Sequence, residues 1–303
     1  MTALHDLSTA IAGVADATSS AIVGIGRHTR GSGVVIADGR VLTNAHNLRG
    51  GEVTVRFADG RVARGTVHGV DPDGDLAVVA VDTAGATPIA WASIDDGSLG
   101  IGTTVFAVAA TGGGGVRVTF GHVSAVARAF RGPGGRRISG SVEHTAPLAP
   151  GSSGSAIVDA AGALLGLNTN RIGEGFYLAL PADAALRARV DALGRGESVE
   201  RLRLGVAIAP SHVARRLRRS VGLPERAGVL VRGVEDGSLA DAAGIEAGDL
   251  IVRAGDRDVA DGDDLHDALG SLTPPFEIGI VRGAEERVVT VAARTTSRTP
   301  GDA

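Results

Sequence analysis

From residue 21 to about residue 180 the chain runs in short apolar or alternating stretches, each cut off by Gly, Asp, Asn or Pro. AIVGIG, GSGVVIA, EVTVRF, LAVVAV, TTVFAVA and ALLGLNT are among them. Such runs are too short for helices and fit strands, and many strands at this rhythm predict a β-barrel or a sandwich. A helix is predicted ahead of them at 1–20, where Leu4, Leu7, Ile11 and Val14 recur at helical spacing. A second, ADAALRARVDALG, follows at 182–194, and the polar, glycine-bearing stretch around GRGESVE, at about 195–201, is the expected linker. Beyond it the pattern changes. Strands are predicted at LRLGVAIA, GVLVRGV, DLIVRAG, FEIGIVRG and ERVVTVAAR. Helices are predicted near 211–221, at LADAAG and at DGDDLHDALGSL, the last capped by Asp261 or Asp263. These describe a small α+β module at 202–295, after a larger unit at 21–194, with a frayed tail at 296–303.

Composition removes whole classes of chemistry. All 30 basic residues are Arg, so a P-loop lysine, a Schiff base and any lysine nucleophile are excluded. Cys is absent, which excludes thiol proteases, CxxC redox sites, thiolate zinc and disulfides. A net charge of −4 and few aromatics argue against nucleic acid as a partner. The Arg215, Arg216, Arg218, Arg219 cluster reads as a solvated helix face. No HExxH and no carboxylate–His cluster of ligand spacing occurs, so neither a metal nor any other cofactor is expected. No membrane span is expected, because no segment reaches the roughly 18 apolar residues required. The first 20 residues carry Asp6 and Asp16 and lack a basic leader, which predicts a cytoplasmic protein as written. A trimmed mature form would instead be periplasmic or secreted.

Three segments carry nucleophilic chemistry together. In VLTNAH an apolar strand runs into His46; DPDGDLAVV delivers an Asp from a polar turn onto a strand; PGSSGSAIV presents a serine on a glycine turn. A serine hydroxyl is a weak nucleophile and must lose its proton as it attacks. A neutral imidazole can take that proton, and a buried carboxylate fixes its tautomer and stabilises the imidazolium. The backbone N–H groups of Gly151 and Ser153 can stabilise the oxyanion, and Gly154 permits the tight approach. His46 and Asp75 lie 29 residues apart and Ser153 a further 78 on, which puts the first two in one half of the β region and the third in the other. The site is then a cleft between the halves.

These segments resemble the HtrA (DegP-like) family of trypsin-like serine proteases with a C-terminal PDZ domain. TNAH is similar to the family's TNAHVV and places the base at His46. DLAVVAVD places the orienting acid at Asp75 rather than Asp71 or Asp73, and PGSSGSAIVDAAGALLGLNT places the nucleophile at Ser153. The implied fold is mainly β, a chymotrypsin-like double β-barrel followed by a small α+β PDZ domain. Asn47 departs from the family's apolar residue after the His, and Ser152 and Ser155 depart from the Asn and Gly flanking the nucleophile.

The S1 pocket is expected at Pro147, Leu148, Asn168 to Asn170 and Phe176, with no acid at its base, which suits a small or medium aliphatic P1 residue. In the second module Arg203, Leu204, Gly205 and Val206 match a carboxylate-binding loop, and GSLADAAGIEAGDLI resembles the family's GSPAxxAGLxxGDxI. Leu265 and Leu269 are expected on the far wall of its groove. The resemblance implies an endopeptidase acting on unfolded or damaged proteins, with C-terminal peptides bound at the PDZ groove. It also implies a homotrimer, although residues 1–50 lack the aromatics that family trimers use. The departures around Ser153 leave a second reading, a catalytically silent peptide-binding scaffold or chaperone.

Overall fold

Burial on both faces explains why the early strands read as nearly unbroken apolar runs. The computed structural model describes residues 2–27, 30–94, 97–132, 137–198, 202–209, 211–220, 222–223 and 225–293. The expected tail at 296–303 and residues 199–201 of the expected linker lie outside them. The chain divides into two compact units, Met1–Glu200 and Arg201–Ala303.

In the first unit, α1 (Ala3–Thr18) leads into β1 (Ile22–Ile25), β2 (Gly31–Ala37), β3 (Arg40–Thr43), β4 (Glu52–Phe57), β5 (Val62–Asp71) and β6 (Leu76–Ala80). These strands close into a barrel in the order β1-β2-β3-β6-β5-β4. A second barrel follows from β7 (Thr104–Ala110), β8 (Val116–Arg131), β9 (Arg137–His144), β10 (Ala156–Val158), β11 (Leu164–Arg171) and β12 (Tyr177–Pro181). Its order, β7-β8-β9-β12-β11-β10 read from its first strand, repeats the connectivity of the first. Of the two β architectures open to the sequence, the barrel forms because both sheets close.

Successive side chains of a strand face opposite ways. Val35, Val41 and Val79 fill the first barrel, while their neighbours Val34, Leu42 and Val78 join a core continuous with the second. α2 (Ala184–Gly194) begins at the Asp183 cap, whose side chain accepts the Leu186 N–H. It returns to the first barrel, where Leu193 lies so close to Gly69 that a Cβ there would meet the Leu193 carbonyl oxygen at 2.3 Å. In α1 Val14 is fully buried but Leu4 is exposed, so only the C-terminal half of the expected stripe is used. No helix among the described residues is long and apolar enough to cross a membrane.

The second unit is built from β13 (Val206–Ile208), α3 (Ser211–Ser220), β14 (Val229–Val234), α4 (Leu239–Ala242), β15 (Leu250–Ala254), β16 (Arg257–Asp258), α5 (Gly262–Leu269), β17 (Phe276–Arg282) and β18 (Glu285–Val291). Its sheet runs β13-β14-β15-β17-β18, with β16 on β15, so β13 is an edge. Of the two candidate caps of α5 it is Asp261 that accepts the N–H groups of Asp263 and Asp264. Asp249 of the GDLI motif is 1% exposed, and Arg282 meets both its oxygens at 2.8 Å. The same guanidinium donates to the Gly244 carbonyl and to Glu246, clamping the turn before β15 to β17. Removing one partner strands a buried carboxylate. Arg282→Ala is therefore expected to lower the stability of this unit by about 2 kcal/mol. Arg282→Lys will not restore it, because a point charge cannot make the paired contact. Denaturant melts of the three proteins check both statements.

Candidate active site

Three acids crowd the turn between β5 and β6, and their surroundings separate their roles. Asp71 accepts the N–H groups of Asp73 and Gly74 and pairs with Arg189 of α2, so it builds the turn. Asp75 emerges from that turn at φ 55°, in the left-handed region that Asp tolerates better than most residues. Asn44 holds it there by donating to the Asp75 carbonyl at 3.0 Å. The Asp75 side chain enters a space with almost no water, where a carboxylate survives only if hydrogen-bonded.

Its partners come from both barrels. The His46 backbone N–H reaches Oδ1 at 3.1 Å, and the ring Nδ1 lies 3.0 Å from Oδ1 and 2.8 Å from Oδ2. Thr169 of β11 donates its hydroxyl to Oδ2 at 2.7 Å. A carboxylate can only accept, so His46 carries its hydrogen on Nδ1 and leaves Nε2 as a base.

The serine turn is gripped from the first barrel. The Ser153 carbonyl accepts the Ser32 N–H at 2.7 Å and Asn47 Nδ2 at 2.9 Å. Asn47, the departure beside His46, thus anchors the nucleophile turn. Gly154 stands at φ 82°, and a Cβ there would meet the Ser32 carbonyl oxygen at 2.2 Å. Among the described residues nothing accepts the N–H groups of Gly151 or Ser153. Both residues line one cavity of about 440 Å³ together with His46, Leu148, Asn168 and Tyr177. Ser153 Oγ donates to the Thr169 carbonyl at 3.3 Å and makes no hydrogen bond to His46 in this state.

Of the residues expected in the pocket, Leu148, Asn168, Thr169 and Asn170 line the cavity, whereas Pro147 and Phe176 do not. Phe176 is exposed, and its neighbour Tyr177 lines the cavity instead, as the alternation of an extended chain requires. Thr169 was expected only as part of the pocket wall; its bond to Asp75 is what residue-by-residue reading missed, since a hydroxyl two places along β11 from Leu167 carries no sequence signal of that role. His144, buried behind the cavity wall and 2.7 Å from Asn168, was missed likewise.

In the second unit Gly205 stands at φ 80°, and a Cβ there would come within 2.2 Å of the Ser238 Cβ. Leu204 is buried, Arg203 is exposed near Glu235, and Val206 opens β13. The carbonyls of Leu204 and Gly205 accept the N–H groups of Ala240 and Glu235, while their own N–H groups have no acceptor among the described residues. Ile208 borders α5, where a Cβ on Gly262 would meet it at 3.0 Å. Leu265 lies in the core of this unit, with Leu269 packed against it.

Replacing Thr169 by Val removes one of the bonds to Asp75 at nearly constant volume. Thr169→Val is expected to cut kcat about tenfold, with KM nearly unchanged. Steady-state kinetics on a peptide substrate check this.

Residues 31–167 match the family model of the trypsin-like peptidase domain, and residues 203–292 that of the PDZ domain. A probable periplasmic serine endoprotease, DegP-like, of Brucella suis is 34% identical over 275 residues, covering 87% of this chain and 52% of that protein. The putative serine protease HhoA of Synechocystis is 32% identical over 279 residues, covering 86% of this chain and 70% of that protein. The chain thus spans about half the length of the DegP-like relative. Among solved structures, an HtrA-type protease AlgW with a decapeptide superposes with a TM-score of 0.64 at 25% identity, covering 93% of this chain and 97% of that one. The serine endoprotease from Yersinia pestis superposes with a TM-score of 0.61 at 24% identity, over 93% and 96%. With two barrels, His46, Asp75 and Ser153 near their seam, and a second unit that matches the PDZ domain, the chain belongs to the HtrA (DegP-like) family of trypsin-like serine proteases with a PDZ domain.

Proposed function

We propose that this chain is a serine endopeptidase that cleaves unfolded or damaged proteins, with His46, Asp75 and Ser153 as its catalytic residues. The observation that carries the reading is one cavity lined by His46, Gly151 and Ser153, where among the described residues His46 Nε2 and the N–H groups of Gly151 and Ser153 have no partner. Rotation of Ser153 about χ1 turns its hydroxyl from the Thr169 carbonyl toward His46. As Oγ attacks a peptide carbonyl, Nε2 takes its proton, and Asp75 stabilises the imidazolium without being protonated. The carbonyl oxygen becomes an oxyanion held by the N–H groups of Gly151 and Ser153, each such donor contributing roughly 3 kcal/mol. The imidazolium then gives its proton to the leaving amine, and water attacks the acyl-enzyme by the same route in reverse.

The pocket reading supports an apolar P1 residue. Leu148 and Tyr177 supply apolar walls, no carboxylate lines the cavity among the described residues, and Arg131 and Arg171 stand at it. Serines at 152 and 155 do not dismantle the turn: Ser155 bonds back to the Ser152 carbonyl at 3.0 Å. The second unit, in this reading, holds a peptide's terminal carboxylate at Leu204 and Gly205 and takes the peptide as an added strand on the β13 edge. The relatives named as periplasmic favour the extracytoplasmic of the two compartments expected from the sequence.

A fluorophosphonate is expected to label the protein at Ser153, and Ser153→Ala to abolish both labelling and casein hydrolysis; hydrolysis that survives the substitution refutes the assignment. For the second unit, peptides with a free C-terminus are expected to bind, and their amidated forms to bind at least tenfold more weakly. Gly205→Ala should lose both, since its Cβ displaces the loop. Equal affinity for the acid and the amide in a titration would refute carboxylate capture.

A further inference from the structure

His144 ends β9 with its side chain fully buried, and the reaction above makes no use of it. Its ring stacks on Tyr177 with 5.7 Å between centroids, and its Nε2 lies 2.7 Å from Asn168 Oδ1. Asn168 is the residue that ties the cavity wall to the serine turn. Its Nδ2 donates to Ser155 Oγ at 2.9 Å and faces the Ala156 carbonyl at 3.4 Å. Its backbone N–H donates to the Ser155 carbonyl at 2.8 Å, and its own carbonyl accepts the Gly154 N–H at 2.7 Å. The next residue, Thr169, meets Asp75 through its hydroxyl and Ser153 through its carbonyl.

A carboxamide can turn end for end, exchanging oxygen and nitrogen. Turned over, Asn168 would set its oxygen against the Ala156 carbonyl, acceptor against acceptor. A hydrogen on His144 Nε2 forbids that orientation, because it demands an acceptor from Asn168. His144 Nδ1 has no partner among the described residues, so a second proton on the ring would find nothing to bond. Burial lowers the imidazole below its ordinary value and favours the neutral ring that this arrangement needs.

We propose that His144 is a positioning residue for the nucleophile turn: by donating from Nε2 it fixes the Asn168 side-chain amide, which holds Ser155 Oγ just past Ser153, while the Asn168 backbone holds Gly154. The inference rests on Ser153 being the nucleophile. It differs from a packing role for the ring, because packing needs the shape of His144 and not its hydrogen.

The rate of fluorophosphonate labelling separates the two. His144→Phe keeps the stack on Tyr177 but loses the donor, and is expected to label about tenfold more slowly. His144→Gln restores an N–H donor without the ring, and is expected to return within about threefold of the wild-type rate. Asn168→Ala should label slowly as well, and adding His144→Phe to it should cost nothing more. In the unaltered protein, nitrogen-15 shifts of His144 should place the hydrogen on Nε2 at neutral pH. A wild-type protein that never labels would overturn the nucleophile assignment, and this inference with it. A wild-type protein that labels, beside a His144→Phe variant equally fast or a His144→Gln variant as slow as Phe, overturns the inference alone. Should the Phe variant not fold, a hydrogen found on Nδ1, or an Asn168→Ala variant labelling at the wild-type rate, overturns it.

Discussion

A single buried carboxylate holds the reaction centre together across the seam of two barrels. Asp75 belongs to the first barrel, and Thr169, which completes its hydrogen bonding, belongs to the second. A charge 1% exposed cannot persist there without donors, so each barrel depends on the other for a tolerable environment at this point. The bond from Thr169 therefore does two things: it satisfies Oδ2, and it aligns β11 with the base on the opposite barrel. His46 inherits its orientation from that alignment, since both its backbone N–H and its Nδ1 are spent on the same carboxylate.

The reverse traffic is equally important. Ser153, the proposed nucleophile, sits on the second barrel, but its carbonyl is held by Ser32 and Asn47 of the first. Ser32 also donates through its hydroxyl to the Gly151 carbonyl at 3.3 Å and accepts the Ala110 N–H at 3.2 Å, so one small buried residue touches both ends of the serine turn and the end of β7. Small residues are required where two backbones approach this closely, and the absent Cβ of Gly154 makes the same point from the other side. The double-faced apolar strands that press the barrels together are what keep these polar contacts dry, and dryness is what gives them strength.

Much of this was legible in the residues. Short apolar runs named the strands, and the TNAH, DLAVV and GSSGS segments named the three side chains proposed to react, because a motif that must bend the chain and present a group leaves glycines and turn acids in fixed places. What motifs cannot express is which neighbour of a functional residue points inward. Phe176 and Tyr177 are adjacent and both aromatic, and only the register of β12 on β9, with Tyr177 opposite His144, decides between them. The Thr169–Asp75 and His144–Asn168 contacts were invisible for a related reason: each joins residues far apart along the chain, and pairing across a barrel has no local signature. The choice among Asp71, Asp73 and Asp75 lay between these cases: resemblance pointed to Asp75 in the sequence, and in the structure Asp71 is consumed by its own turn while Asp75 meets His46.

The proposed anion recognition of the two units follows the same physical route. In each, a glycine at positive φ sits where a side chain would collide with a serine, Gly154 against Ser32 and Gly205 against Ser238, and the turn so formed leaves consecutive or near-consecutive N–H groups without internal partners. Unpaired backbone N–H groups are costly unless something negative arrives to accept from them. At the serine turn, in the proposed reaction, that acceptor exists only while the carbonyl is being attacked, so the cost borne by the resting protein becomes a gain confined to the transition state, which is the condition for raising kcat rather than tightening substrate binding. At the Leu204–Gly205 loop the proposed acceptor is a permanent carboxylate, and the same geometry yields affinity instead. One device thus serves catalysis in one unit and capture in the other, and what separates the outcomes is how long the negative charge lasts.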